Sequence, residues 1–123
     1  MPKKSRLEAE ITNLVVKLQR EILGRGPEDA RSYIVHDMVI LRLKGVLTTV
    51  EKHLTKSEKG CQVVKQMREV LRETYAEEEE QIIANVTGCK VISSHSDIST
   101  KTGERIEIFI LDRNLEELLQ NQS

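Results

Sequence analysis

The sequence predicts an α+β domain in which two β-hairpins form a mainly antiparallel four-stranded sheet packed against helices. Three observations predict it. Apolar residues recur at helical spacing near the start and again through the middle of the chain. Two pairs of β-prone runs are each joined around a short polar turn. No glycine-rich phosphate loop of the βαβ kind is present, so the order is helix, hairpin, helices, hairpin.

The first helix is predicted over Ser5 to Leu23, where Leu7, Ile11, Leu14, Val15, Leu18 and Ile22 fall on one stripe. Gly24 stops it, because glycine accepts the left-handed conformation without steric cost, and Pro27 blocks continuation. From Arg31 to Gly45 the residues are β-prone on either side of His36-Asp37, which reads as a tight hairpin. On its second strand Val39, Leu41 and Leu43 share one face, and helices are expected to cover that face.

Thr48 and Glu51 have the spacing of a capping box, so a helix is expected from about Thr49, pausing near Lys59-Gly60. Val63, Val64, Met67, Val70, Leu71 and Tyr75 restart the helical period, and Ile82, Ile83 and Val86 continue it. Between them lie four glutamates, Glu77 to Glu80. The stretch reads as one bent helix or two; like charges repel inside a helix and are favoured at its first turn, which favours a break near Tyr75-Ala76. Gly88 closes the helix, and Lys90 to Ile98 with Glu104 to Asp112 form the second hairpin around Thr100 to Gly103. Ile106, Ile108 and Ile110 alternate with Glu107, Phe109 and Leu111, the pattern of an inner strand packed on both faces. The tail from 113 to 123 carries Leu115, Leu118 and Leu119 and either docks or frays. The chain is expected to form one domain over 1–123, ordered over about 5–112.

Composition narrows the function. Hydrophobic residues are 38% and charged residues 32% of the 123, which suits a folded domain with a charged surface. Tyr33, Tyr75 and Phe109 are the whole aromatic complement and the net charge is -1. Both argue against nucleic acid as a partner, since base stacking and phosphate neutralisation have little to work with. No apolar run is long enough to span a bilayer and none follows Met1 to Arg6 as a signal peptide, so the expectation is a cytoplasmic protein with no direct membrane insertion. Cys61 and Cys89 lack a CxxC partner and read as reduced thiols. No cofactor and no metal site is expected; His53 has no second histidine four residues away.

Two constellations carry possible chemistry. Gly24-Arg25-Gly26-Pro27 can aim backbone amides and a guanidinium at a small anion, or can simply be a helix stop with a solvated arginine. His95 and Asp97 project from one face of a strand, where a carboxylate can orient an imidazole for base catalysis, for ligand binding, or only for ordering the loop to Glu104. The four-three spacing of Leu7, Ile11, Leu14 and Leu18 serves either the core or a helix–helix seam in a homodimer.

The ordered set Gly24-Arg25-Gly26-Pro27, Gly45 to Thr48 with Glu51, Gly88 to Val91, and Ser94 to Glu104 resembles the MpsC-like family of small bacterial proteins. The resemblance runs from the first helix to about Asp112, and Cys89 departs from the variable or polar residue expected after its glycine. It implies a non-enzymatic accessory or regulatory module of a sodium-translocating membrane system linked with inorganic-carbon uptake. The partners implied are the membrane transport complex or its soluble subunit, with a place at the inner face of the membrane. The resemblance brings no catalytic residue with it. Arg25, His95, Asp97, Thr100 and Glu104 are the ligand-binding candidates, as positions in the matching motifs. The alternatives are a small-anion-binding sensor built on Arg25 and the His95 to Glu104 loop, and a hydrolase or lyase using His95 as base with Asp97 as its orienter.

Overall fold

The computed structural model describes residues 3–121. Helix α1 (Lys3–Leu23) leads into the hairpin of β1 (Asp29–Val35) and β2 (Met38–Lys44). Helices α2 (Thr49–Leu54) and α3 (Glu58–Thr87) follow, then the hairpin of β3 (Val91–Ile98) and β4 (Arg105–Leu111), and last α4 (Leu115–Asn121). The four strands lie in the order β1-β2-β4-β3 and every neighbouring pair is antiparallel. The expected α+β architecture of two hairpins against helices is the observed one.

Local chemistry sets the boundaries. Gly24 and Gly88 end α1 and α3 at φ of 77° and 70°, a left-handed conformation open to glycine. Thr48 and Glu51 form the expected capping box at α2: Glu51 N donates to Thr48 Oγ1 at 3.2 Å and Thr48 N donates to Glu51 Oε1 at 2.9 Å. Such a cap is worth about 1 kcal/mol. Gly60 sits one turn into α3, and a Cβ there would stand 1.7 Å from the Leu54 carbonyl oxygen. Only glycine lets α3 fold back this closely on α2.

The helical stripe of α1 is spent in the core. Ile11, Val15 and Leu18 are buried, leaving Leu14 as the exposed member, so the stripe has no seam to offer a second helix. Ile11 and Val15 meet Ile34, Val39, Leu41, Phe109, Leu111 and Ile83, and α4 completes this cluster with Leu115 and Leu119. The tail therefore docks; positions 122 and 123 lie outside the described residues. Glu116 fastens it by accepting from Lys4 Nζ at 2.6 Å and from His36 N at 3.0 Å. Those two hydrogen bonds, Lys4 first, hold its carboxyl below the usual range.

Two expectations are corrected. α3 does not break at Tyr75-Ala76 but runs unbroken over Glu58–Thr87. The reason is that the glutamates are not four surface charges: Glu77 and Glu78 are exposed, whereas Glu79 is buried on the face that also carries Tyr75 and Ile83. The second correction concerns β4, which is an inner strand but is not packed on both faces. Arg105, Glu107, Phe109 and Leu111 point to the helices, while Ile106, Ile108 and Ile110 are half-buried on the opposite face. They are shielded by cross-strand neighbours, Ile40 opposite Ile108 and Met38 opposite Ile110, rather than by a second layer.

Candidate functional site

The sequence candidates separate when the chain folds. Arg25 directs Nη1 to the Leu47 carbonyl at 2.9 Å and Nη2 to the Gly45 carbonyl at 3.1 Å, clasping the segment between β2 and α2. Glu104 accepts from Arg42 Nε at 2.6 Å on the open face of the sheet, and that bond raises the guanidinium pKa further. His95 lies exposed on the same face with Ser93 Oγ at 3.3 Å, opposite Ile108. Asp97 accepts from Ile98 N at 2.9 Å and stands 3.5 Å from Lys65 Nζ. Thr100 is in the half-buried turn of the second hairpin. The motif loops do meet, but through backbone: Val46 N donates to the Gly103 carbonyl at 3.1 Å, with Leu47 packed over Gly103.

A different constellation gathers between α3 and the β3–β4 hairpin. The inward face of α3 carries Val64, Arg68, Tyr75, Glu79 and Ile83, and the inward face of β4 carries Arg105 and Glu107. Arg68 is 1% exposed and forks onto Glu51, with Nε to Oε2 at 2.6 Å and Nη2 to Oε1 at 2.7 Å. Its Nη2 also reaches the Val46 carbonyl at 2.7 Å, tying α3 to the α2 cap and to the clasped loop. Burial pushes the Glu51 carboxyl up, and the bonds from Arg68 and Thr48 outweigh it, leaving the group below its usual range.

Deeper in, Arg72 lies 3.3 Å from both Glu79 and Glu107 and stacks over Phe109, with its guanidinium carbon 5.9 Å from the ring centre. Arg105 Nε is 3.3 Å from Glu107 Oε2, and Ser96 Oγ donates to the same oxygen at 3.1 Å. Burial first, and the neighbouring Glu107 second, push the Glu79 carboxyl up to about 9. Tyr75 beside it is pushed up chiefly by burial and accepts from Gln19 Nε2 at 3.3 Å.

This network forms the floor of a cleft of about 250 Å³ lined by Lys65, Arg68, Arg72, Arg105, Ser96, Asp97 and Ile98, with Glu69 and Glu73 at its rim. Arg68 Nη1 and Arg72 Nε, and likewise Glu79 Oε2 and Glu107 Oε1, are buried with hydrogen-bonding capacity unused. The arrangement can hold a small polar or anionic group by charge-assisted hydrogen bonds. Asp97 is the one sequence candidate that lines it. Arg68, Arg72, Arg105, Glu79 and Glu107 escaped the sequence reading. The available signal was charge at positions where the helical and strand periods call for apolar residues.

Comparison with known proteins places this architecture. The family described as "Na+-translocating membrane potential-generating system (MpsC)" matches residues 3–113. The chain belongs to the MpsC family. Uncharacterized protein YbcI of Bacillus subtilis (strain 168) is 38% identical over 117 residues, covering 95% of this chain and 94% of its own. Uncharacterized protein YrhF of the same organism is 25% identical over 109 residues, covering 88% of this chain and 89% of its own. No solved structure matches at a significant level. The family name associates MpsC proteins with a sodium-translocating membrane system. Among the described residues no helix is long and apolar enough to cross a membrane.

Proposed function

We propose that this MpsC protein is a non-enzymatic accessory or regulatory module of a bacterial ion-translocating and inorganic-carbon uptake system. It works at the cytoplasmic side of the membrane as a homodimer, docked on the membrane complex or on that complex's soluble subunit. The observation that carries this reading is the family match over residues 3–113 in a chain with no membrane-crossing helix among its described residues. A protein of that kind reaches a membrane system by binding it. Affinity purification of the tagged chain from gently solubilised membranes is expected to bring down subunits of the ion-translocating complex. Recovery of the chain alone, under conditions that keep the complex intact, overturns the reading.

One observation favours a second reading, a small-anion sensor. The supporting site is not the Arg25 and His95 loop pair but the cleft over Arg68, Arg72 and Arg105, where buried guanidinium nitrogens have unused capacity. Inorganic phosphate is then expected to raise the melting temperature saturably, because a ligand of the native state stabilises it. Lys65→Ala, which removes a cation from the mouth of the cleft, is expected to weaken that shift. A melting temperature indifferent to phosphate, at matched ionic strength, sinks the sensor and leaves the accessory role standing.

A further inference from the structure

The first half of α3 turns an apolar stripe away from the domain. Val63, Met67 and Val70 are 45%, 44% and 58% exposed, four and three residues apart, and with Leu71 and Thr74 they line a shallow groove of about 500 Å³. Val50 and Leu54 of the preceding helix α2 are likewise exposed, 70% and 38%. This four-three spacing is that of a helix–helix seam, and the inward face of the same helix already carries the core.

The charges flanking the stripe identify its occupant. Lys59, Gln66 and Glu73 follow one another at seven-residue intervals, so they stand on the same flank of the seam, two turns apart. The flank is basic at one end, neutral in the middle and acidic at the other. All three residues are exposed. A second α3 laid antiparallel about a two-fold axis at Gln66 sets each Lys59 against the other copy's Glu73, twice by symmetry. A parallel two-fold pairing puts this flank of each copy on opposite sides of the seam, where Lys59 and Glu73 cannot meet.

We propose that the Val63-Met67-Val70 stripe of α3 is an antiparallel homodimer seam, centred on Gln66 and held in register by reciprocal Lys59–Glu73 pairs. In that register Val63 packs on Met67 of the second copy. Val70 comes level with Gly60 of the second copy, at the junction where the Leu54 backbone closes on α3. A two-fold contact of this kind is self-complementary and leaves no open end. The inference rests on the homodimer element of the proposed function and adds the surface, direction and register.

The test uses the full chain in sedimentation equilibrium. The expected mass is twice the 14.1 kDa of one chain. Lys59→Glu and Glu73→Lys each turn two attractive pairs into two repulsive ones and are expected to weaken dimerisation about tenfold. The double variant is expected to recover most of that loss, which no merely structural role of either residue explains. In a Cys61→Ser background, Gln66→Cys is expected to form a disulfide-linked dimer under mild oxidation. A monomer at every concentration, a double variant no better than the singles, or no cross-link at position 66 overturns the seam. The two readings fail separately. A monomer that still brings down the membrane complex removes the dimer alone, and a dimer that brings down no membrane protein removes the accessory role alone.

Discussion

Glu79 on α3 and Glu107 on β4 turn their carboxyl groups toward one another in the interior, each fully buried. Two carboxylates cannot both ionise there cheaply, even with Arg72 and Arg105 beside them, so the pair holds a proton. Because the Glu79 carboxyl is raised from 4.5 to about 9, the native state binds a proton that the unfolded chain releases in that interval. The stabilisation is complete below the unfolded value and is lost as pH rises through the folded one. The melting temperature is expected to fall on going from mildly acidic to alkaline pH. Glu79→Gln, which imitates the protonated carboxyl, is expected to flatten that fall. An equally steep decline in the variant refutes the shared proton.

The Arg68–Glu51 fork, with both partners almost wholly buried, makes a second prediction. Removing one partner leaves a buried charge without compensation, at a cost of about 3–5 kcal/mol. Arg68→Met alone is expected to cost this much in urea unfolding. Adding Glu51→Gln removes the orphaned charge while keeping a side-chain oxygen for the Thr48 cap, and is expected to recover more than half. Additive losses in the double variant would show that the two residues do not act as a pair.

Gly60 provides a steric test. A Cβ meets the Leu54 carbonyl carbon at 2.6 Å and its oxygen at 1.7 Å, both backbone atoms that have no rotamer to escape into. Gly60→Ala gains helix propensity yet is expected to destabilise by about 1–3 kcal/mol, as overpacked sites do. A neutral or stabilising effect in thermal unfolding contradicts the close approach of α2 and α3.

How much of this was legible beforehand depends on how local each signal is. The caps at Thr48, Gly24 and Gly88, and the facing of Val39, Leu41 and Leu43, follow from neighbours in sequence, and the structure has them where the residues say. The continuity of α3 was not legible, because the repulsion expected of Glu77 to Glu80 is relieved at Glu79 by burial beside Glu107 of β4, which keeps a proton on Glu79 and which only folding brings near. The cleft escaped for the same reason: Arg68 and Arg72 come from α3 and Arg105 from β4, more than thirty residues along the chain from either. Strand alternation sets Asp97 on the same face as His95, whereas in the fold its carboxylate stands near Lys65. Alternation along a strand tells which face a residue shares, not which helix passes beside the edge.

Arg25 separates a ligand role from a structural one. Its two Nη atoms hold the Leu47 and Gly45 carbonyls in the segment from which Val46 N reaches Gly103, so the side chain joins the end of β2, the α2 cap and the second hairpin turn. Arg25 is only half-buried, and water partly replaces it when it is lost. Arg25→Ala is therefore expected to cost about 1–2 kcal/mol, less than two fully buried charged hydrogen bonds. Lysine carries the charge without the planar fork, so Arg25→Lys is expected to restore less than half of that loss. Hydrogen exchange gives the local readout: the Val46 amide is expected to lose protection in Arg25→Ala while amides of the Phe109 core keep theirs. Unchanged stability and unchanged Val46 protection would show that the clasp contributes nothing to the fold, and would return Arg25 to the list of residues free to hold an anion.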